Sequence, residues 1–225
     1  MTNSTDTKHL HGSEYVNKFE DNQSLYRLER LLTHITLNRG DTVLDCGCGN
    51  GMLLPLIEEK IETYVGLDFS PQFVERARQK NKSARCHFTF ICVDIIEHCK
   101  STPNTYDVAM AMDLSEHVAD NEWKSILTAI NFSLKKGGKL YLHTPNRDFF
   151  LEKMKENNIF LKQFPEHIAV RTKAENVDLV MKGGFSDAST LGLPHYNILR
   201  FLHPLSKLPM IGKWFEARIL LSAIK

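Results

Sequence analysis

A run of glycines and three acids carry chemistry that can be read from their spacing. A short apolar stretch rich in β-branched residues, Thr42-Val43-Leu44-Asp45-Cys46, leads directly into Gly47-Cys48-Gly49-Asn50-Gly51. Glycines let a backbone turn sharply and approach a ligand closely, and the helix expected after them offers free amides to a polar or negative group. The spacing is GxGxG, not the GxGxxG of a dinucleotide fold, and no Gly-Lys-Ser/Thr follows, which excludes a phosphate-cradling P-loop. A phosphate has little use for a carboxylate beside it. Asp45, two residues before the first glycine, instead suits a ligand with an ammonium or sulfonium group. Asp68 ends the second strand in VGLDFS, where a carboxylate can accept both hydroxyls of a ribose. Asp94 ends the third strand in FICVD and can accept an adenine amino hydrogen. Acids at three successive strand ends line the carboxyl edge of a sheet, where open α/β folds bind ligands.

A second constellation closes the fourth strand: Asp113-Leu114-Ser115-Glu116-His117. Two acids and a His on one turn can chelate a cation that lowers the pKa of a hydroxyl. His117 can alternatively act as a base, because an unperturbed imidazole titrates at about 6.5. The third reading is positioning or packing. No metal is expected; Asp113, Glu116 and His117 are the residues of this turn that would ligate one. His143, in LHTPN at the end of the fifth strand, faces either a cleft or the core.

The elements that must position these groups alternate along the chain. Leu25, Leu28, Leu31, Leu32 and Ile35 recur at helical spacing and mark an amphipathic helix between about Glu14 and Thr36. Strands are expected at Thr42–Cys46, Tyr64–Leu67, His87–Val93, Tyr106–Met112 and Lys139–Thr144. Helices are expected at Met52–Lys60, Pro71–Asn81 with Ser70 as cap, Ile95–Lys100 and Asn121–Leu134. A turn is expected at Lys135–Gly138. This rhythm means an α/β fold with a mostly parallel sheet and helices on both faces. After Pro145 it breaks. Residues 145–171 read as irregular or partly helical and carry Phe149, Phe150, Phe160 and Phe164. A capped helix at Thr172–Lys182 and strands at Phe185–Leu191 and Phe215–Ile224 complete the chain. The organisation expected is an N-terminal helical cap over 1–36 and one domain over 37–225, with a substrate-side insertion at about 145–171.

VLDCGCGNG, VGLDFS, FICVD, YDVAMAMDLSEHV and LKKGGKLYLHTPN, in that order, resemble the successive motifs of class I S-adenosylmethionine-dependent methyltransferases. The resemblance covers roughly residues 41–146. It implies a doubly wound seven-stranded sheet with the last strand antiparallel, and S-adenosyl-L-methionine as cofactor. It places Asp45, Cys46, Gly47 and Gly49 along the methionine part, Asp68 at the ribose, Phe69 on adenine and Asp94 with Ile95 at the adenine edge. The family architecture sets Asp113, Glu116 and His117 beside the sulfonium, Asp113 as a cofactor-binding residue and Glu116 and His117, with His143, as the catalytic candidates. The acid-x-x-Glu-His pattern is similar to that of ubiquinone-type polyprenyl O-methyltransferases, and also to that of small-RNA 2′-O-methyltransferases, in which His167 would match a metal-binding His.

No Asn/Asp-Pro-Pro-Tyr/Phe motif follows the fourth strand, so the implied acceptor is a hydroxyl of a small molecule rather than an amino group. The alternatives are an RNA ribose and a non-catalytic cofactor-binding module. The 225 residues carry 28 basic and 27 acidic side chains, which disfavours a nucleic-acid surface. Five cysteines without a CxxC pair read as reduced thiols. No apolar run is long enough to span a membrane and no secretory signal is evident, so a cytoplasmic location is expected. The four phenylalanines of the insertion suggest an apolar or aromatic acceptor. The stretch HYNILRFLHPLSKLPMIGKWFEARILL, with Arg200, Lys207, Lys213 and Trp214 among apolar residues, reads as a cover for the sheet, a substrate lid or an interfacial element.

Overall fold

The structure, a computed structural model, describes residues 25–156 and 167–225. The start of the N-terminal helix expected from Glu14, together with Phe160 and Phe164, lies outside the described residues. The first elements are α1 (Leu25–Leu32), β1 (Thr42–Cys46), α2 (Leu54–Ile57), β2 (Thr63–Asp68), α3 (Pro71–Lys80), β3 (His87–Cys92), α4 (Ile95–Ser101) and β4 (Tyr106–Met112). They are followed by α5 (Asp120–Ser133), β5 (Leu134–Pro145), α6 (Phe150–Glu156), α7 (Lys173–Lys182), β6 (Asp187–Leu193) and β7 (Arg218–Ile224). The strands form a seven-stranded sheet in the order β3-β2-β1-β4-β5-β7-β6. β1 pairs in parallel with β2 and β4, and β2 with β3, whereas β7 runs antiparallel to both β5 and β6. No described helix is long and apolar enough to cross a membrane.

The chain divides into two compact units. One holds the described residues up to Met110 with Phe132–Gly138; the other holds Ala111–Asn131 and the described residues of Lys139–Lys225. In the first unit β1 and β2 are buried on both faces, as parallel strands are. Gly66 lies against the Phe90 ring, where an added Cβ would sit 2.7 Å from a ring carbon. That close approach lets Tyr64 and Phe90 meet edge to face at 5.5 Å. Ser70 caps α3 through the Phe73 amide, with Pro71 at the first helical position.

In the second unit Trp123, Leu127 and Ile130 of α5 are fully buried. Gly183 lets the end of α7 close on α5, since a Cβ there would press within 2.7 Å of Leu127 Cβ. Thr172 and Glu175 form a capping box at the start of α7.

Two expectations need correction. The turn expected at Lys135–Gly138 lies inside β5, which runs unbroken from Leu134 to Pro145. Gly137 is left-handed at φ 76°, so it bends the strand without ending it. The helix expected over Met52–Lys60 is four residues long, because the chain turns early to bring the Glu62 and Thr63 amides to the Asp41 carbonyl at 3.0 and 3.3 Å.

Candidate active site

Gly47, Gly49 and Gly51 all have left-handed φ, at 75°, 52° and 75°. Three such residues in alternation need glycine, since a Cβ in this region is strained. Gly51 is held further: a Cβ would sit 2.7 Å from Asn81 Nδ2 and 2.8 Å from Phe90 Cζ. The amides of Gly47 and Cys48 both donate to the Leu67 carbonyl at 2.8 Å, which fastens the loop to the end of β2. Asp68 accepts from the Gly49 amide at 3.0 Å and the Ser70 amide at 2.9 Å.

Asp45 is 2 % exposed and accepts the Tyr64 hydroxyl at 2.5 Å. Burial, opposed by that hydrogen bond and reinforced by Asp68, raises its pKa to about 7. Burial, the main cause, also pushes the thiols of Cys46 and Cys48 well above the ordinary range, and nearby acidic groups add to it. The Cys46 side chain is wholly enclosed, so only its backbone is available to a ligand. Asp94 is exposed and caps α4 through the Ile96 amide at 2.8 Å and the Glu97 amide at 3.3 Å, with Ile95 as the first helical residue. Phe69 presents its ring to solvent, 42 % exposed. Sequence reasoning passed over Asn50. It is 2 % exposed, and neither its amide nitrogen nor its amide oxygen has a hydrogen-bonding partner among the described residues. An orphaned amide costs free energy unless something polar meets it. With a buried acid and an exposed aromatic ring on the same stretch of chain, the donor set fits an amino-acid–nucleoside cofactor.

The second unit holds the other group of candidates. Asp113 adopts φ 54°, an uncommon conformation for a residue with a Cβ, and its amide donates to the His143 carbonyl at 2.8 Å. Its carboxylate lies 2.9 Å from His143 Nδ1 and accepts from Arg218 at 3.0 Å. His143, with no exposure, faces the core side of the two orientations its strand allows. Its Nε2 meets the Tyr196 hydroxyl at 2.5 Å. The Arg218 guanidinium sits over the Tyr196 ring at 5.5 Å.

Glu116 is 1 % exposed, accepts the Thr144 hydroxyl at 3.1 Å and has Arg218 at 4.0 Å. Burial, then the Asp113 charge, lifts its pKa to about 8 against the opposing pull of Arg218. His117 packs edge-on to His167 at 5.0 Å. Burial and the neighbouring cations lower His167 to about 4, which keeps it neutral. Glu116, His117 and His167 offer ligand atoms within 4.8 Å of one another. Asp113 is engaged by Arg218 and His143 instead.

Arg171 is 4 % exposed and holds the turn that carries Glu116 and His117. It donates to the Ser115 and Val118 carbonyls at 2.7 Å each and to Asp120 at 2.7 and 2.8 Å. The nearby cavity of about 620 Å³ is lined by both polar and apolar residues, among them Arg147, Glu152, His167, Ile168 and Val170. Phe149 is buried between the Phe150 and His195 rings, at 4.7 and 5.9 Å. Tyr196 and Arg218 carried no sequence signal, since Arg218 lies 105 residues from the acid it pairs with.

The methyltransferase-domain family matches residues 19–189, three quarters of the chain. The chain belongs to this family. It is an S-adenosylmethionine-dependent methyltransferase. The methyltransferase is 29 % identical over 206 residues to a ubiquinone biosynthesis O-methyltransferase of Vibrio atlanticus, covering 82 % of this chain and 86 % of the relative. Two solved structures share its fold. One, an S-adenosylmethionine-dependent methyltransferase from Archaeoglobus fulgidus, has a TM-score of 0.73 at 19 % identity, covering 95 % of this chain and all of that one. The other, from Thermotoga maritima and described as a possible histamine N-methyltransferase, has a TM-score of 0.69 at 21 % identity, covering 97 % and 99 %.

Proposed function

We propose that this methyltransferase acts on a hydroxyl of a small, apolar or aromatic acceptor, and that Tyr196 receives the hydroxyl proton. The observation that carries this reading is the line Asp113, His143, Tyr196, with contacts of 2.9 and 2.5 Å. When bound, S-adenosylmethionine presents a methyl carbon on a positively charged sulfur. Asp68 would hold its ribose hydroxyls, Asp45 its positively charged end, Asn50 a polar group of the methionine part, and Phe69, Asp94 and Ile95 its adenine. Cys46, Gly47 and Gly49 would contribute backbone along the same part.

A phenol with pKa near 10 is mostly protonated at neutral pH, so an acceptor of this type must lose a proton. Tyr196 takes it while passing its own proton to His143 Nε2. The resulting imidazolium lies beside the Asp113 carboxylate, which favours the charge and holds the other ring proton on Nδ1. Arg218 over the Tyr196 ring stabilises negative charge on that side chain in transit. Arg218 lies 3.0 Å from Asp113 and 4.0 Å from Glu116, whose pKa is held well above the ordinary carboxylate range by burial, so Arg218 serves Asp113 and Tyr196. His143 is fully enclosed and works through Tyr196, not on the acceptor. The O-methylation named for the Vibrio relative points the same way.

The test is turnover of labelled cofactor with phenols bearing apolar tails, matched amines, and RNA. A labelled methyl ether on a phenol is expected. Tyr196→Phe should lower kcat by about 10²–10⁴ with cofactor affinity unchanged. Label on the amine or the RNA, or full turnover in Tyr196→Phe, would overturn the reading. Turnover should also resist a chelator. If chelation stopped it and manganese restored it, the cluster of Glu116, His117 and His167 would take over the role given to Tyr196.

A further inference from the structure

The fold leaves a large share of its apolar surface in one stretch of chain. Ile198–Lys207 forms a 3₁₀ helix with no buried residue, and Gly212–Phe215 forms a second. Between them they expose Ile198 at 76 %, Phe201 at 70 %, Met210 at 95 % and Trp214 at 46 %, with Leu205, Leu208 and Ile211 also exposed. In a 3₁₀ helix side chains three apart eclipse, so Ile198 and Phe201 stand on the same side. Single exposed apolar residues are ordinary, but a concentration of this kind marks an interaction surface.

The stretch is built, not loose. Asn197 caps the first 3₁₀ helix through the Leu199 amide at 3.0 Å. The Gly212 amide donates to the Leu208 carbonyl at 3.0 Å, and the Trp214 amide to Ile211 at 3.0 Å. His203 Nδ1 lies 3.3 Å from the Phe215 carbonyl. A Cβ on Gly212 would run into the Ser206 carbonyl, so the two pieces meet in backbone contact.

Charge identifies what would cover this surface. Arg200, Lys207 and Lys213 are interspersed with the exposed apolar residues, and no Asp or Glu occurs between Asp187 and Glu216. The whole chain is nearly neutral at +1, so this excess is local. Apolar side chains alternating with cations on a solvent-facing element fit the boundary of a bilayer, with rings and aliphatic chains among acyl groups and ammonium and guanidinium groups among phosphates. A second copy of the chain fits worse, because a two-fold contact would set these cations against their own copies with no acid in the segment to pair them.

We infer that Ile198–Trp214 is an interfacial element that seats this protein on a bilayer surface rich in anionic phospholipid. The inference does not depend on which acceptor is methylated.

Co-sedimentation of the full chain with vesicles tests it, comparing phosphatidylcholine alone with phosphatidylcholine containing phosphatidylglycerol. Retention is expected on the anionic vesicles only, weakening as salt rises. Trp214 emission should shift to the blue on binding, against a constant signal from the fully buried Trp123; Trp214→Phe should lose the shift and keep the retention. Lys207→Glu with Lys213→Glu, and separately Phe201→Ser with Met210→Ser, should each lower the partition coefficient at least about tenfold. Unchanged thermal unfolding of both double variants would show that the loss is one of binding. No retention, equal retention on neutral vesicles, or retention indifferent to both double variants would overturn the inference. So would a lipid-free dimer that either double variant dissociates, which would make the stretch an interface between copies.

Discussion

Asp45 is an acid in an environment that prefers it neutral. It is buried, hydrogen-bonded to Tyr64 and close to a second carboxyl at Asp68. Its pKa of about 7 lies above its ordinary value of 3.8. Between these two pH values the folded chain holds a proton that the unfolded chain has lost, so this group's contribution to stability declines as pH rises and is gone above about 7. Asp45→Asn keeps the shape and removes the titration. Thermal unfolding should show the variant and the wild type close together below about pH 4, with the variant increasingly the more stable as pH rises from there to about 7 and the difference constant above it. The same variant should bind cofactor more weakly at pH 8, where the wild-type carboxylate is ionised and meets positive charge; calorimetry checks this. An advantage that shrank with pH would contradict the raised pKa.

At the scale of elements, the turn after β4 is held from outside. Asp113 leaves the strand with left-handed backbone and Ser115–His117 forms a single 3₁₀ turn. Such a turn has little stability of its own. Arg171 supplies it by bonding two carbonyls of the turn. Asp120 is largely exposed at 70 %, so its ion pair with Arg171 adds little and the carbonyl bonds matter more. Arg171→Met should cost about 2–4 kcal/mol, or about 5–15 °C in the unfolding midpoint. It should lower turnover while leaving cofactor affinity close to wild type, because the glycine loop does not use Arg171. Equal losses in both measurements would mean that the damage is global.

At the scale of the whole molecule, what the sequence made legible is what local rules determine. Tyr106–Met112 matched its expected bounds because VAMAM is a buried, uninterrupted strand. The Ser70 and Thr172 caps followed from short-range hydrogen-bond chemistry. The glycine loop was readable because left-handed φ at Gly47, Gly49 and Gly51 restricts residue type. The charge cluster was only half readable. Asp113, Glu116 and His143 stand near strand ends and were visible, but Tyr196 and Arg218 reach them from 53 and 105 residues away. No periodicity records such pairings. The Lys135–Gly138 turn failed for a related reason: two glycines favour a turn locally, and pairing along a twelve-residue strand overrode them.

The burial of Cys46 and Cys48 on either side of Gly47 has a practical consequence. A thiol reagent attacks the thiolate, so enclosed thiols with raised pKa react only when the chain around them opens. Exposed Cys92 should be alkylated first, while Cys46 and Cys48 record the rate at which the glycine loop breathes. Mass spectrometry of timed labelling should show that S-adenosylmethionine slows those two sites and leaves Cys92 nearly unchanged. The chain thus carries its own chronometer of loop opening, readable without adding a probe.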